Sequence, residues 1–258
     1  VTHTLLVAAA FATFVWWFAT GAILYLDGLP KRTFGRSLGV FSVLAAAALV
    51  SLALTRGEAT TTNVYLAFAS AIMLWGWIEL SFLTGLVTGP RRSSSIPGTT
   101  TAQRFRHACE TIAHHEAAIL LIGVLVIALT WGQPNAVGAW AFIVLWAMRT
   151  SAKLNLFLGV RNDGRELLPD RLQYLASFFA NRTFNALFPV SVAVATIVAV
   201  LLVRSALDAS SGAQGIGYTL VATLLILGII EHWLMVLPLP ATALWGWGLK
   251  SRAAHPDR

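Results

Sequence analysis

Apolar residues run along this chain in stretches of about twenty, broken by short polar segments, without the alternation of a sheet or the one-sided stripe of a soluble helix. A stretch of that length matches the roughly 30 Å hydrocarbon core of a bilayer, which about 20 helical residues cross. Seven such spans are predicted, at residues 4–26, 37–55, 64–89, 107–131, 137–159, 189–206 and 217–236. The second and sixth consist almost wholly of Ala, Leu and Val, the pattern of plain structural spans. The other five carry the aromatic and polar residues. The expected fold class is all-α: a polytopic transmembrane helical bundle, with residues 1–258 forming a single integral membrane domain.

The polar segments add an orientation. Lys31, Arg32, Arg36, Arg91, Arg92, Arg104, Arg106, Arg161, Arg165, Arg171, Arg182, Lys250, Arg252 and Arg258 all fall in one alternate set of connections, against Arg56 and Arg204 in the other. Under the positive-inside rule this predicts a periplasmic N-terminus and a cytoplasmic C-terminus, with a short cytoplasmic tail at 247–258. No cleavable signal peptide is expected, because the first apolar run lacks a basic region before it. The connection "RRSSSIPGTTTAQ" reads as flexible from its Ser, Thr, Pro and Gly content. In the loop 160–188, Leu172, Leu175, Phe178 and Phe179 follow Pro169 at helical spacing. They predict a helix, either an interfacial one on the cytoplasmic membrane surface or a connector packed on the bundle.

Composition agrees with this picture and excludes others. The chain is 57% hydrophobic and 11% charged, against about a quarter charged in soluble proteins. Its net charge of +7 resides in the loops, so membrane orientation accounts for it and no nucleic-acid partner is expected. The single cysteine, Cys109, excludes an internal disulfide and any multi-cysteine metal site.

Candidate chemistry lies in ionisable groups that a bilayer tolerates only with a partner or a task. Glu79, Glu110, Glu116 and Glu231 fall within spans, with His107, His114, His115 and His232, and Arg149, Lys153 and Asn155 of the fifth span. With the orientation above, all share the cytoplasmic half of the membrane, which points to one internal site. The helical period then divides "ETIAHHE": Glu110 and His114 share one face, while His115 and Glu116 are turned away from it. Three chemistries suit the set. Glu79, Glu110, His114, Glu116, Glu231 and His232 could hold iron in a di-iron-like centre, as carboxylates and histidines do in helical bundles. One of His114, His115 and His232 could ligate the magnesium of a bacteriochlorophyll, with Trp75, Trp77 and Trp233 as a flat wall. Third, the glutamates could pair with Arg149, Lys153 and the histidines, with Asn155 among the buried partners, and simply hold the bundle together. A proton path over Glu79, Glu110 and Glu231 is disfavoured by the absence of an internal repeat.

Five blocks in order, "FVWWFATGAILYL", "YLAFASAIMLWGWIELSFLTGLVTGP", "ETIAHHE", "RTSAKLNLFLGVRN" and "EHWLMVLPLP", resemble the PuhE-type photosynthetic complex assembly proteins of anoxygenic phototrophic bacteria. The resemblance covers nearly the whole chain. It implies a multi-pass protein of the bacterial inner (intracytoplasmic) membrane, in contact with lipid, that assists assembly of the photosynthetic reaction centre and light-harvesting antenna by contacting their subunits or handling bacteriochlorophyll. It supplies no catalytic residue, so a non-enzymatic role is expected. The alternative is a metal-dependent oxidase or hydroxylase acting on a lipid-soluble pigment precursor.

Overall fold

A computed structural model describes residues 2–239 and 241–254. Among these, seven helices are long and apolar enough to cross a membrane, and no β-strand occurs. They are α1 (Thr2–Asp27), α2 (Phe34–Thr55), α3 (Thr61–Leu83), α4 (Thr101–Thr130), α5 (Val137–Leu158), α6 (Leu187–Leu207) and α7 (Gly212–Val236), followed by a short α8 (Gly246–Ala254). The protein is a multi-pass membrane bundle.

Helix α3 is the hub. Two thirds of its apolar window is buried, against 17% for α2 and α6, and it packs against α1, α2, α4, α5 and α7. Its inward positions alternate small and large residues, with Ala67, Ser70, Ala71 and Gly76 among Phe68, Leu74 and Ile78. Small residues let helices approach closely where lipid offers no hydrophobic drive between them. On the periphery, Val43 and Leu54 of α2 and Val194, Ile197 and Leu201 of α6 turn outward, so these two spans meet lipid as their plain composition implies.

The two largest departures from the expected spans, six residues each, meet in one loop; α7 also starts five residues before the expected 217, at Gly212, where Ser211 caps it. α3 stops at Leu83, six residues early, because Gly85 adopts φ +79° and the amides of Leu86 and Val87 turn back to the Ser81 carbonyl, each at 3.0 Å. The segment that follows lies along α4: the His115 amide donates to the Thr88 carbonyl at 2.9 Å, and the Arg91 amide to the Glu110 carbonyl at 3.4 Å. Gly89 sits so close to the carbonyls of Glu110 and Thr111 that a Cβ there would overlap them. In turn α4 starts at Thr101, six residues before the expected 107, because Thr100 and Gln103 form a reciprocal capping box.

Residues Asp170–Phe178 form a 3-10 helix. Leu172, Leu175 and Phe178 recur every three residues, the period that aligns side chains on one face of such a helix. All three are buried, Leu172 and Leu175 in a cluster with Ile23 and Leu24 of α1, Leu80 of α3 and Trp245. The same end is locked by Asp27, the last residue of α1, which is fully buried. Arg252 of α8 reaches its carboxylate at 3.0–3.2 Å, and Arg171 donates to its main-chain carbonyl at 2.7 Å.

Candidate functional site

Between α1, α3, α5 and α7, in the half of the bundle where those helices end, lies a cavity of about 1100 Å³. That is at or above the upper end of small-molecule pockets, roughly 300–1,000 Å³. Its inner wall is formed by Trp16, Ile72, Trp75 and Leu145; Glu79, Arg149, Lys153 and Glu231 line it further along the same helices; the loop 161–168, Phe178 and Trp245 enclose the mouth. Each charged residue is placed there by the helical period: Arg149 and Lys153 are four apart on one face of α5, and Gly228 and Glu231 three apart on one face of α7.

The charges are mostly paired. Arg149 Nη2 donates to Glu79 Oε2 at 3.1 Å, joining α5 to α3. Lys153 Nζ donates to Glu116 Oε1 at 2.5 Å, joining α5 to α4. Glu231 is the exception: among the described residues its carboxyl group has neither a hydrogen bond nor an ion pair, although it lines the cavity beside these pairs.

The histidines divide three ways. His114 is exposed on the outer side of α4. His115 is fully buried, its ring centroid 4.3 Å from that of Phe82, and neither ring nitrogen has a partner among the described residues. His232 is buried with both nitrogens engaged: Nδ1 lies 2.9 Å from the Gly228 carbonyl and Nε2 2.8 Å from Ser151 Oγ. A carbonyl only accepts, so Nδ1 carries the proton and Nε2 accepts from the serine hydroxyl. Asn155 continues this network to Ser191 Oγ at 3.3 Å and receives Asn185 Nδ2 on its Oδ1 at 3.0 Å. His232 and Asn155 thus tie α5, α6 and α7 together.

Of the six residues expected as an iron set, Glu79, Glu116, Glu231 and His232 lie in this region, but Glu79 and Glu116 are taken by cations and His232 by its network. Glu110 instead meets Arg106 at 3.3 Å and Arg91 at 3.9 Å near the start of α4, and His114 faces outward. Among the described residues no three His, Cys, Asp or Glu side chains are placed to hold a metal ion. The aromatic wall also differs from expectation. Trp75 lines the cavity and meets Phe142 edge-on at 5.5 Å. Trp77 instead donates to Ser42 Oγ on α2 at 2.9 Å, and Trp233 is exposed and packs edge-on against Phe188. Trp16 and Trp245 complete the wall, 5.4 Å apart and edge-to-face. Nor does the cavity suit histidine ligation of a magnesium pigment: His114 faces away, His115 is not part of the lining, and His232 has no free ring nitrogen.

Sequence reasoning missed the Asp27 lock, the part of the loop 161–168, and the docking of Thr88 and Gly89 on α4. Asp27 lay one residue beyond the expected first span. Gly89–Pro90 offered a signal of its own, since glycine beside a helix-stopping proline often marks a close backbone approach.

Seven membrane-length helices, five of them lining a cavity beside paired charges, define a polytopic membrane protein. The chain belongs to the DUF3623 family, described as a protein of unknown function, whose profile matches residues 2–256. It is 39% identical over 243 residues to an "Uncharacterized 30.4 kDa protein in puhA 5'region" of Rhodobacter capsulatus, an alignment that covers 92% of this chain and 88% of that protein. No solved structure matches it.

Proposed function

We propose that this protein is an inner-membrane factor that assists assembly of the photosynthetic reaction centre and light-harvesting complexes by holding a bacteriochlorophyll-type pigment in its internal cavity, its N-terminus periplasmic and its C-terminus cytoplasmic. The observation that carries the reading is the cavity itself: about 1100 Å³, walled by Trp16, Trp75 and Trp245. Flat aromatic side chains suit a flat macrocycle, with which they stack in offset or edge-on geometry. The relative's gene lies in the puhA 5' region of a phototrophic bacterium, which supports a role in photosynthesis, as does the order of the five sequence blocks. The pigment is held by shape and polar contact, with no histidine ligand to its metal. The role proposed is non-enzymatic, in keeping with the commitment of Glu79 and Glu116 to ion pairs with Arg149 and Lys153.

The test is the absorption spectrum and extracted pigment of the protein purified from a phototrophic host. A bound bacteriochlorin near one per chain is expected, absent from Leu145→Trp and Ala152→Trp, which fill the cavity. Host membranes carrying either variant should show reduced reaction-centre and antenna absorbance. Pigment-free wild-type protein, together with normal complexes in a deletion strain, would remove the proposal.

A further inference from the structure

The cavity holds an asymmetry of charge that bears on what it accepts. Both of its span-borne cations are committed: Arg149 to Glu79 and Lys153 to Glu116, the latter at 2.5 Å. Of the acids that line it from the spans, Glu231 is the one with neither a hydrogen bond nor an ion pair among the described residues, one turn from Gly228 on the face of α7 that lines the cavity; Glu166 lies at the mouth and is exposed. A ligand carboxylate brought here would leave water, find each span-borne cation already paired with a glutamate, and face Glu231; an uncompensated buried charge is among the costliest features a site can contain. Arg161 at the mouth does not change this, because it is exposed and its attraction is screened by water. An uncharged ligand meets no such penalty, and its hydrogen-bond donors can engage the Glu231 carboxylate.

From this arrangement we infer that Glu231 makes the cavity selective for an uncharged, esterified pigment over the corresponding free carboxylic acid. The inference rests on the pigment reading above and adds to it the charge class of the ligand and the residue that sets it. Glu231 acts here as a specificity-determining residue, discriminating through repulsion and the lack of a spare cation as much as through attraction.

The experiment is a binding titration in detergent with two probes that differ only at one group: a metal-free bacteriochlorin as its methyl ester and as its free acid. Quenching of tryptophan emission reports occupancy, since Trp16, Trp75 and Trp245 line the cavity. The readout is the ratio of the two dissociation constants, in which micelle partitioning cancels between variants. Wild type is expected to bind the ester roughly tenfold or more tighter than the acid. Glu231→Gln should bring the ratio to within about threefold. Glu79→Gln, which releases Arg149 into the cavity, should draw the acid level with the ester or past it. His115→Phe, outside the lining, should keep the wild-type ratio. Equal binding of both probes by wild type, or an unchanged ratio in both glutamate variants, overturns the selectivity while leaving a pigment cavity standing. Saturable binding of neither probe removes the pigment reading, and this inference with it.

Discussion

Arg149 donates to Glu79 across 3.1 Å and so fastens α5 to the hub helix α3. Glu79 is buried, and its second oxygen has no partner among the described residues, so the pair is the main source of compensation for that carboxylate. Arg149→Ala should lower stability in detergent by about 2 kcal/mol or more, since a charge would remain without its partner. Arg149→Met with Glu79→Gln should recover most of the loss. Thermal unfolding of the single and double variants measures the coupling. Additive losses would mean that the pair contributes nothing jointly.

The two buried histidines should respond in opposite ways to the same change. His115 has unsatisfied nitrogens and already lies on Phe82, so His115→Phe should be neutral or stabilising; removing an unpaired buried polar group relieves its desolvation cost. His232→Phe severs the bonds to Gly228 and Ser151 and should cost about 1–3 kcal/mol. Paired melting curves settle this, and destabilisation by His115→Phe would show that an internal water or proton occupies that site.

Asp27→Asn should loosen the end of the bundle. The fully buried carboxylate faces the guanidinium of Arg252 at 3.0 Å, and the uncharged amide would leave that cation with less compensation. The expected result is faster proteolysis after Lys250 or Arg252, with the seven spans still protected. Unchanged cleavage kinetics would count against a lock.

At Gly89 a side chain would press into the backbone of α4. Gly89→Ala is therefore expected to cost about 1–3 kcal/mol, as other overpacked sites do, and to raise amide exchange at His115, whose N–H is donated to Thr88. Site-resolved hydrogen exchange checks both ends of the contact.

Outside the spans, Arg165 Nε donates to Asp163 Oδ1 at 2.9 Å, and that hydrogen bond holds the Asp163 carboxyl below its ordinary value. A depressed folded value means a contribution that is full above the unfolded value of ~3.9 and lost as pH falls through the lower folded one. Arg165 is half exposed, so the effect is small, below about 1 kcal/mol. Protection of the loop 161–168 should decline on acidification below that range, and Asp163→Asn should abolish the step.

Much of this was legible in the sequence because lipid imposes a length. The spans expected at 137–159 and 189–206 from apolar content fall within two residues of α5 and α6. The failures came where another force set the boundary. Thr100 caps α4 two turns before hydropathy rises, and Gly85 ends α3 while hydropathy is still high. Glu79, Arg149, Lys153 and Glu116 were recognisable as a group because each is costly in a bilayer, and helical spacing separated His115 from His114. Which partner each would choose was not legible. Pairing depends on the rotation of α3, α4 and α5 about their axes, and that is set by packing around residues such as Gly76, Gly123 and Gly138, which carry no charge signal.

The central place of α3 has a consequence for how the protein is made. Helices enter the membrane in chain order, so the third must arrive before the fifth, with Glu79 partnerless until Arg149 follows it. During that interval the growing chain carries an acid inside the bilayer at a cost of a few kcal/mol. Arg149 thus brings, two spans later, the compensation that Glu79 lacks on entry.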